Sequence, residues 1–341
     1  TSPLLHLPPE LRNKIYSYTL ESLPSPTAST RTYRRRALYY RPGFQRPKRI
    51  STALLQTCQQ IYAEASLLPA LLTTHTFWCY RAPPHVRHAA APGEYFARMT
   101  PEQRGVVREV GFFTQQFFLE GRWGEILRSL RDADGEGQLG KAGGGGGGGG
   151  GGVRPRKITL TLRHSDWWFW ERNEELGIDP FRAGRVSARQ MRSGSGQGQK
   201  GGQMDDRAWG NQFVNVPGLE TLVVEFETVM RKRDQLDWIV QMAAGWRFPL
   251  VPEEGIFLVP GEEGGEREAW RWVGAREEVL RAETERGGVE EEEGEDGAGR
   301  VPELMPLREG GEDGKVELDY DPEVEEEYYV VFMTWRRQKV E

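Results

Sequence analysis

The chain predicts an α+β fold, or the closely related α/β class: an N-terminal helical pair, then an open, mainly parallel sheet with helical crossovers and long disordered inserts. Three observations predict it. Two amphipathic helical patterns fall within the first 70 residues; four β-rich runs follow at long intervals with helical patterns between them; and glycine is confined largely to three stretches. Strand, helix, strand, helix in succession favours right-handed parallel crossovers over hairpins. The crossover lengths are irregular, which excludes a regular solenoid.

Residues 8–21 carry Leu11, Ile15 and Tyr18, with Leu7 just before, on one face of a helix of about three turns. Residues 51–68 read as a second helix striped by Leu54, Cys58, Ile61, Ala65 and Leu68. Residues 75–80 read as a strand. Thr100, Pro101 and Gln103 form a helix-start signature, with a capping hydroxyl, Pro at the first helical position and Gln three residues after the cap. The four β-rich runs are 106–113, 157–163, 219–227 and 328–335. Between them, 123–130 and 233–246 have helical periodicity. Residues 266–286 read equally as a charged helix or, from the alternation of Trp270 and Trp272, as a strand. These elements divide into a helical region, 1–80, carrying a basic insert at 31–49, and a sheet region, 100–341.

The 341 residues include 42 glycines, about 12% against a usual share near 7%. The glycines have no three-residue period, which excludes collagen. With 37% hydrophobic residues and 11 Trp, 11 Tyr and 14 Phe, wholesale disorder is excluded as well. Ten glycines run from 143 to 152, five lie in 194–202 and thirteen in 255–314. Such stretches cannot repay backbone ordering entropy and predict flexible inserts at 131–156, 190–204 and 283–315. Without the three glycine-rich stretches about 260 residues of ordinary composition remain. Charge is equally uneven: residues 1–60 sum to +8 and 253–319 to −14, within a net charge of −6. The acidic run at 290–296 reads as a solvated loop, or as a calcium- or protein-binding segment. The longest apolar run, 328–335, falls short of the roughly 18 residues a membrane span needs. Two cysteines, no secretory leader and a start at Thr1 suggest an excerpt of an intracellular protein of the cytoplasm or nucleus, with no membrane association.

Motifs for catalysis fail on their chemistry. Residues 135–142 nearly spell a phosphate-binding loop, but Ala142 stands where a magnesium-binding hydroxyl belongs. Asp132, Asp134 and Glu136 begin a calcium loop whose twelfth position is Gly143 rather than a bidentate Glu. His75, Cys79, His85 and His88 lie within 14 residues at a spacing that matches no common zinc site. His164, Ser165 and Asp166 are sequence neighbours that a strand would point to opposite faces. The expectation is a protein that is not an enzyme, with no cofactor, no metal and no small-molecule substrate. The run Trp167, Trp168, Phe169, Trp170 reads as a core edge or a partner surface.

The segments Leu7-Pro8-Pro9-Glu10-Leu11 and Ile15-Tyr16-Ser17-Tyr18, with Leu54-Leu55-Gln56-Thr57-Cys58-Gln59-Gln60-Ile61, resemble an F-box. The likeness is closer to fungal F-box-like proteins, in which a Leu-Pro-x-Glu-Leu-Arg-Asn-x-Ile-Tyr motif and a Leu-Leu-Gln-Thr-Cys-Arg-Gln-Ile-Tyr-Ala-Glu-Ala motif flank a basic insert. The match covers roughly residues 1–80, and 108–121, 166–171 and 246–250 are similar to later landmarks of such chains. The resemblance implies a non-enzymatic protein-interaction module, an F-box-type substrate adaptor of a ubiquitin ligase. Leu7, Pro8, Leu11 and Ile15 would then bind a Skp1-like adaptor, and the sheet region with its aromatic surface would hold a protein target. The chain departs from a true F-box at Thr19, where Leu is usual, at Ile61, where Trp is usual, and in the roughly 30 residues between the motifs. The other reading makes Leu7, Leu11, Ile15, Leu54, Cys58 and Ile61 the packed seam of the helical pair.

The 31–49 insert holds eight basic residues, no acidic one, and Tyr33, Tyr39, Tyr40 and Phe44. Arg34, Arg35, Arg36, Arg46, Lys48 and Arg49 could neutralise phosphates while the rings stack on bases, so the alternative function is nucleic-acid binding. The same two basic clusters resemble a bipartite nuclear import signal, and a solvated loop paired with the acidic segment is the third reading.

Overall fold

The β-rich runs assemble into one sheet that collects strands from residue 75 to residue 339. The computed structural model describes residues 2–24, 33–83, 92–131, 152–192, 205–261, 266–285, 302–307 and 320–340. In chain order, α1 (Pro9–Leu20) and the two-residue strands β1 (Leu23–Pro24) and β2 (Lys48–Arg49) precede α2 (Gln59–Ala65) and α3 (Leu68–Leu72). Then come β3 (His75–Trp78), α4 (Pro92–Phe96), α5 (Pro101–Val106), β4 (Glu109–Phe113), α6 (Gln116–Arg131) and β5 (Lys157–Leu162). The remainder comprises α7 (Ala188–Arg192), β6 (Thr221–Val229), α8 (Arg233–Ala243), β7 (Phe248–Val251), β8 (Ile256–Pro260), β9 (Glu266–Ala275), α9 (Glu277–Glu285), β10 (Met305–Pro306) and β11 (Glu325–Lys339).

The main path of the sheet is β10-β9-β11-β6-β5-β4-β3, with β8 on β11 and β7 on β8. β3 to β6 are parallel, joined by crossovers that run through α4 and α5, through α6, and through α7 with flanking 3₁₀ turns. The expected mainly parallel sheet therefore holds as far as β6. From there β7, β8, β9 and β11 pair antiparallel, a correction for the 328–335 run. The β7–β8 link is too short for a parallel crossover, and Gly255 takes the left-handed φ of +69° that its turn needs.

Strand alternation explains the two covered faces. Leu222, Val224 and Phe226 of β6, with Tyr329, Val331, Met333 and Trp335 of β11, join the principal core under α6 and α8. Tyr328 and Val330 point the other way, into a second cluster with Val229, Trp272, Tyr33 and Tyr40. The segment 33–45 thus covers the second face, although its sequence places it in a helical region ending at 80. β3 likewise lies inside those bounds and pairs with β4.

Further expectations are corrected. Residues 51–68 do not form one helix: a 3₁₀ turn, Ala53–Gln56, is separated from α2 by Cys58 in extended conformation. Within 266–286, residues 266–285 are both alternatives in succession, β9 then α9. The predicted inserts are narrower than drawn. β8 and β9 lie within the third glycine-rich stretch and β10 within 283–315, while 190–192 belong to α7. At the end of 131–156, the Val153 N–H donates to the Leu130 carbonyl at 2.9 Å. A Cβ on Gly152 would sit 2.0 Å from the Arg131 carbonyl oxygen, so the last glycine of the run is required sterically. The phosphate-loop and calcium-loop look-alikes at 132–143, His85, His88 and the acidic run at 290–296 lie outside the described residues. Among the described residues no helix is long and apolar enough to cross a membrane.

Candidate interaction surface

Pro9 at the first helical position starts α1, and the Pro8 carbonyl accepts from the Leu11 and Arg12 N–H groups, both at 3.1 Å. One face of the helix turns inward. Tyr16 and Leu20 are buried against Ile61 and Ala65, with Leu4, Leu5, Leu54, Leu55 and Leu68 around them, a core separate from that of the sheet. Glu64 of α2 fastens this seam: Arg12 donates to its two oxygens at 2.9 and 2.8 Å, the Tyr16 hydroxyl at 3.0 Å and Gln60 at 3.0 Å. The Arg12 hydrogen bonds hold the Glu64 carboxyl down to about 2.

The opposite face of α1 is left outward. Leu11 is 50% exposed, Ile15 37% and Tyr18 65%; Pro8 is exposed and Leu7 half-buried. The seam reading is therefore corrected for Leu11 and Ile15, and for Cys58, which is exposed at the start of α2. The helical stripe was legible, but its inward partner is the row Arg12, Tyr16 and Leu20.

The basic insert separates by side chain. Arg34, Arg36, Arg46, Lys48 and Arg49 are exposed, whereas Arg35 is half-buried with Glu325 at 3.9 Å. Arg41 is buried, its Nε donating to Glu227 at 2.9 Å and its Nη1 to Glu225. Despite burial, these two carboxylates hold the guanidinium above its usual value, while burial raises the Glu227 carboxyl. The rings do not stand free for stacking: Tyr33 and Tyr40 are buried, and Phe44 packs edge-on against Phe113 at 4.7 Å. Sequence reasoning missed this ion pair. Its signal was present in β6, where Glu225 and Glu227 alternate with Val224 and Phe226 in a strand too apolar to leave two carboxylates unpaired.

The carboxyl ends of β4, β5 and β6 meet in a charged interior. Arg163 clasps Asp166 at 2.7 and 2.9 Å, donates to the Leu38 carbonyl at 2.7 Å and lies 5.1 Å from the Trp78 ring centre. His164 is buried 3.6 Å from Glu277, and burial keeps its ring below the usual histidine value. Against its own burial, His164 and Arg281 hold Glu277 down to about 2. A narrow pocket with room for about one water molecule is lined by Tyr40, Arg163, His164, Ser165, Glu227 and Tyr328. His75 contacts the Ala70 carbonyl at 3.0 Å and the Tyr95 hydroxyl at 3.1 Å, so both its ring nitrogens have partners in the packing around β3. In the aromatic run, Trp167 and Trp170 are buried and Trp168 and Phe169 half-buried.

Comparison with protein-family models, with curated proteins and with solved structures finds no match to this chain.

Proposed function

We propose that this chain is a non-enzymatic protein-interaction module, an F-box-type substrate adaptor whose α1 docks a Skp1-like adaptor protein while the sheet region holds a protein target. One observation supports it most: α1 spends Arg12, Tyr16 and Leu20 on its own seam and keeps Pro8, Leu11, Ile15 and Tyr18 outward on a contiguous helical stripe. An unpartnered apolar stripe rimmed by polar residues is what a docking helix needs. The test is titration of a purified Skp1-type adaptor into the full chain and into Leu11→Asp. Saturable binding, abolished in the variant with unchanged thermal unfolding, supports the reading; no binding by the unmodified chain refutes it.

A second reading is favoured by the exposed cations Arg34, Arg36, Arg46, Lys48 and Arg49. They offer sequence-independent phosphate contacts, and with Tyr33 and Tyr40 buried such binding would be electrostatic rather than base-stacked.

A further inference from the structure

Two neighbouring parallel strands, β4 and β5, deliver aromatic side chains to the same edge of the sheet, the carboxyl-terminal edge where α/β folds carry their ligands. Thr114 and Gln115 lead from β4 into α6, whose first turn holds Phe117 and Phe118; the turn beyond β5 holds Trp168 and Phe169. The rings form a connected row. Phe117 is 40% exposed and lies 4.2 Å from Phe118 and 6.1 Å from Trp168, which lies 5.7 Å from Phe169.

The row is held in place from behind. The Trp168 indole N–H donates to Glu120 at 2.6 Å, and Gln116 accepts from the Trp168 backbone while donating to the Gly177 carbonyl at 2.6 Å. Phe169 sits at φ +51°, a left-handed conformation rare for an aromatic residue and one that surrounding structure must impose. That turn leaves its ring half-buried with two guanidiniums over it, Arg185 at 4.4 Å and Arg172 at 5.3 Å. Arg185 also pairs with Glu174. Arg172 is exposed, and among the described residues no carboxylate pairs with it.

An aromatic row held from behind and ending in an exposed guanidinium that no described carboxylate pairs with has the make-up of a binding hot spot. We propose that this rim is a recognition surface for an extended peptide segment of a partner protein, one that lays an aromatic or long aliphatic side chain on Phe117 and Trp168 and a carboxylate on Arg172. It rests on the reading that this chain binds a second protein, but not on docking through α1. A peptide fits better than single-stranded nucleic acid. Phe169 already has two guanidiniums over its ring, and the carboxylates of Glu120, which accepts from Trp168, and Glu174, which pairs with Arg185, would oppose a run of phosphates while tolerating one carboxylate.

The test uses the full chain and a fluorescein-labelled twelve-residue peptide of Gly, Ser and Asn carrying one Trp-Leu pair and one Glu, against the same peptide with Lys in place of the Glu and against labelled oligo(dT), read by anisotropy. The expected result is at least about tenfold preference for the acidic–aromatic peptide, with about tenfold weaker binding in Arg172→Glu and a similar reduction in Phe117→Ser. Both substituted residues are exposed, so thermal unfolding should be unchanged, and Leu11→Asp should bind the peptide normally even if adaptor docking fails. Equal binding of acidic and basic peptides overturns the proposal, as does full binding by both rim variants. Oligo(dT) binding that Arg172→Glu abolishes overturns it in favour of nucleic acid, and loss of peptide binding in folded Leu11→Asp moves the site to α1.

Discussion

Arg41 and Glu227 meet across 186 residues of chain, the guanidinium Nε donating to the carboxylate at 2.9 Å with both side chains buried. The insert between α1 and α2 is thereby bolted to the middle of the sheet. Removing one partner leaves the other charge buried and uncompensated. Arg41→Ala should therefore cost about 3–5 kcal/mol in urea unfolding, while Arg34→Ala on the exposed side of the same insert stays within about 0.5 kcal/mol. Similar small losses at both positions would mean the insert does not hold the sheet face.

The two faces of the N-terminal helices should separate cleanly by mutation. Ile61→Ala empties part of the seam under α1 and should destabilise by about 2–5 kcal/mol. Leu11→Asp, on the outward face, should alter stability by no more than about 0.5 kcal/mol while removing adaptor binding. Hydrogen exchange of the α1 amides distinguishes them, because only the seam variant should lose protection.

Acid should unfold the chain in two stages. Burial holds His75 and His164 below the ordinary 6.5, so below that pH the unfolded chain takes up protons that the folded chain refuses. Their contribution is complete above 6.5 and is lost as pH falls below it. Glu64 and Glu277, held at about 2 against an ordinary 4.5, contribute above 4.5 and lose that contribution as pH falls toward 2. The melting temperature measured against pH should show both declines, and His164→Asn should make the first one shallower.

Gly152 tests whether the polyglycine run ends as a structural element. Its position admits no Cβ, since one would meet the Arg131 carbonyl oxygen at 2.0 Å. Gly152→Ala should cost about 1–3 kcal/mol by overpacking, whereas Gly105→Ala, with open space at its Cβ, should not destabilise by that mechanism. Thermal unfolding of the pair gives the answer.

If the exposed cations of the insert bind nucleic acid, affinity for oligo(dT) should fall steeply with salt. Replacing Arg34 and Arg36 by Ser should then flatten the log–log slope by about 0.7 for each phosphate that is no longer neutralised. A slope that does not change removes that reading.

Local pattern carried much of the architecture. The 3.6-residue stripe at 8–21, the β-rich runs at 157–163 and 219–227, and the cap at Thr100 are short-range signals, and the structure realises each with only its ends shifted. Thr100 accepts from the Gln103 N–H at 3.3 Å, and Gln103 accepts from the Thr100 N–H at 3.0 Å, as a capping box requires. The helix predicted over 51–68 failed because its apolar period continues through Cys58, where the backbone turns extended, and a periodicity cannot register a break that preserves its phase.

What the sequence by itself determined is therefore where the strongest helical and β-rich patterns lie, that glycine excess is concentrated in a few segments, and that α1 carries an apolar stripe. What the tertiary structure decided is where those surfaces point. Arg12, Tyr16 and Leu20, rather than Leu11 and Ile15, became the seam of α1 because Glu64, 52 residues beyond Arg12, collects both of its nitrogens. Tyr33, Tyr40 and Arg41 became the cover of a sheet face because β6 and β11 present Glu227, Val229, Tyr328 and Val330 to them. Periodicity shows that a residue has a face, whereas burial is settled by pairwise contact between segments far apart in the chain. Charge neutralisation at Glu225 and Glu227 decided that a segment rich in arginine would lie on the sheet rather than in water.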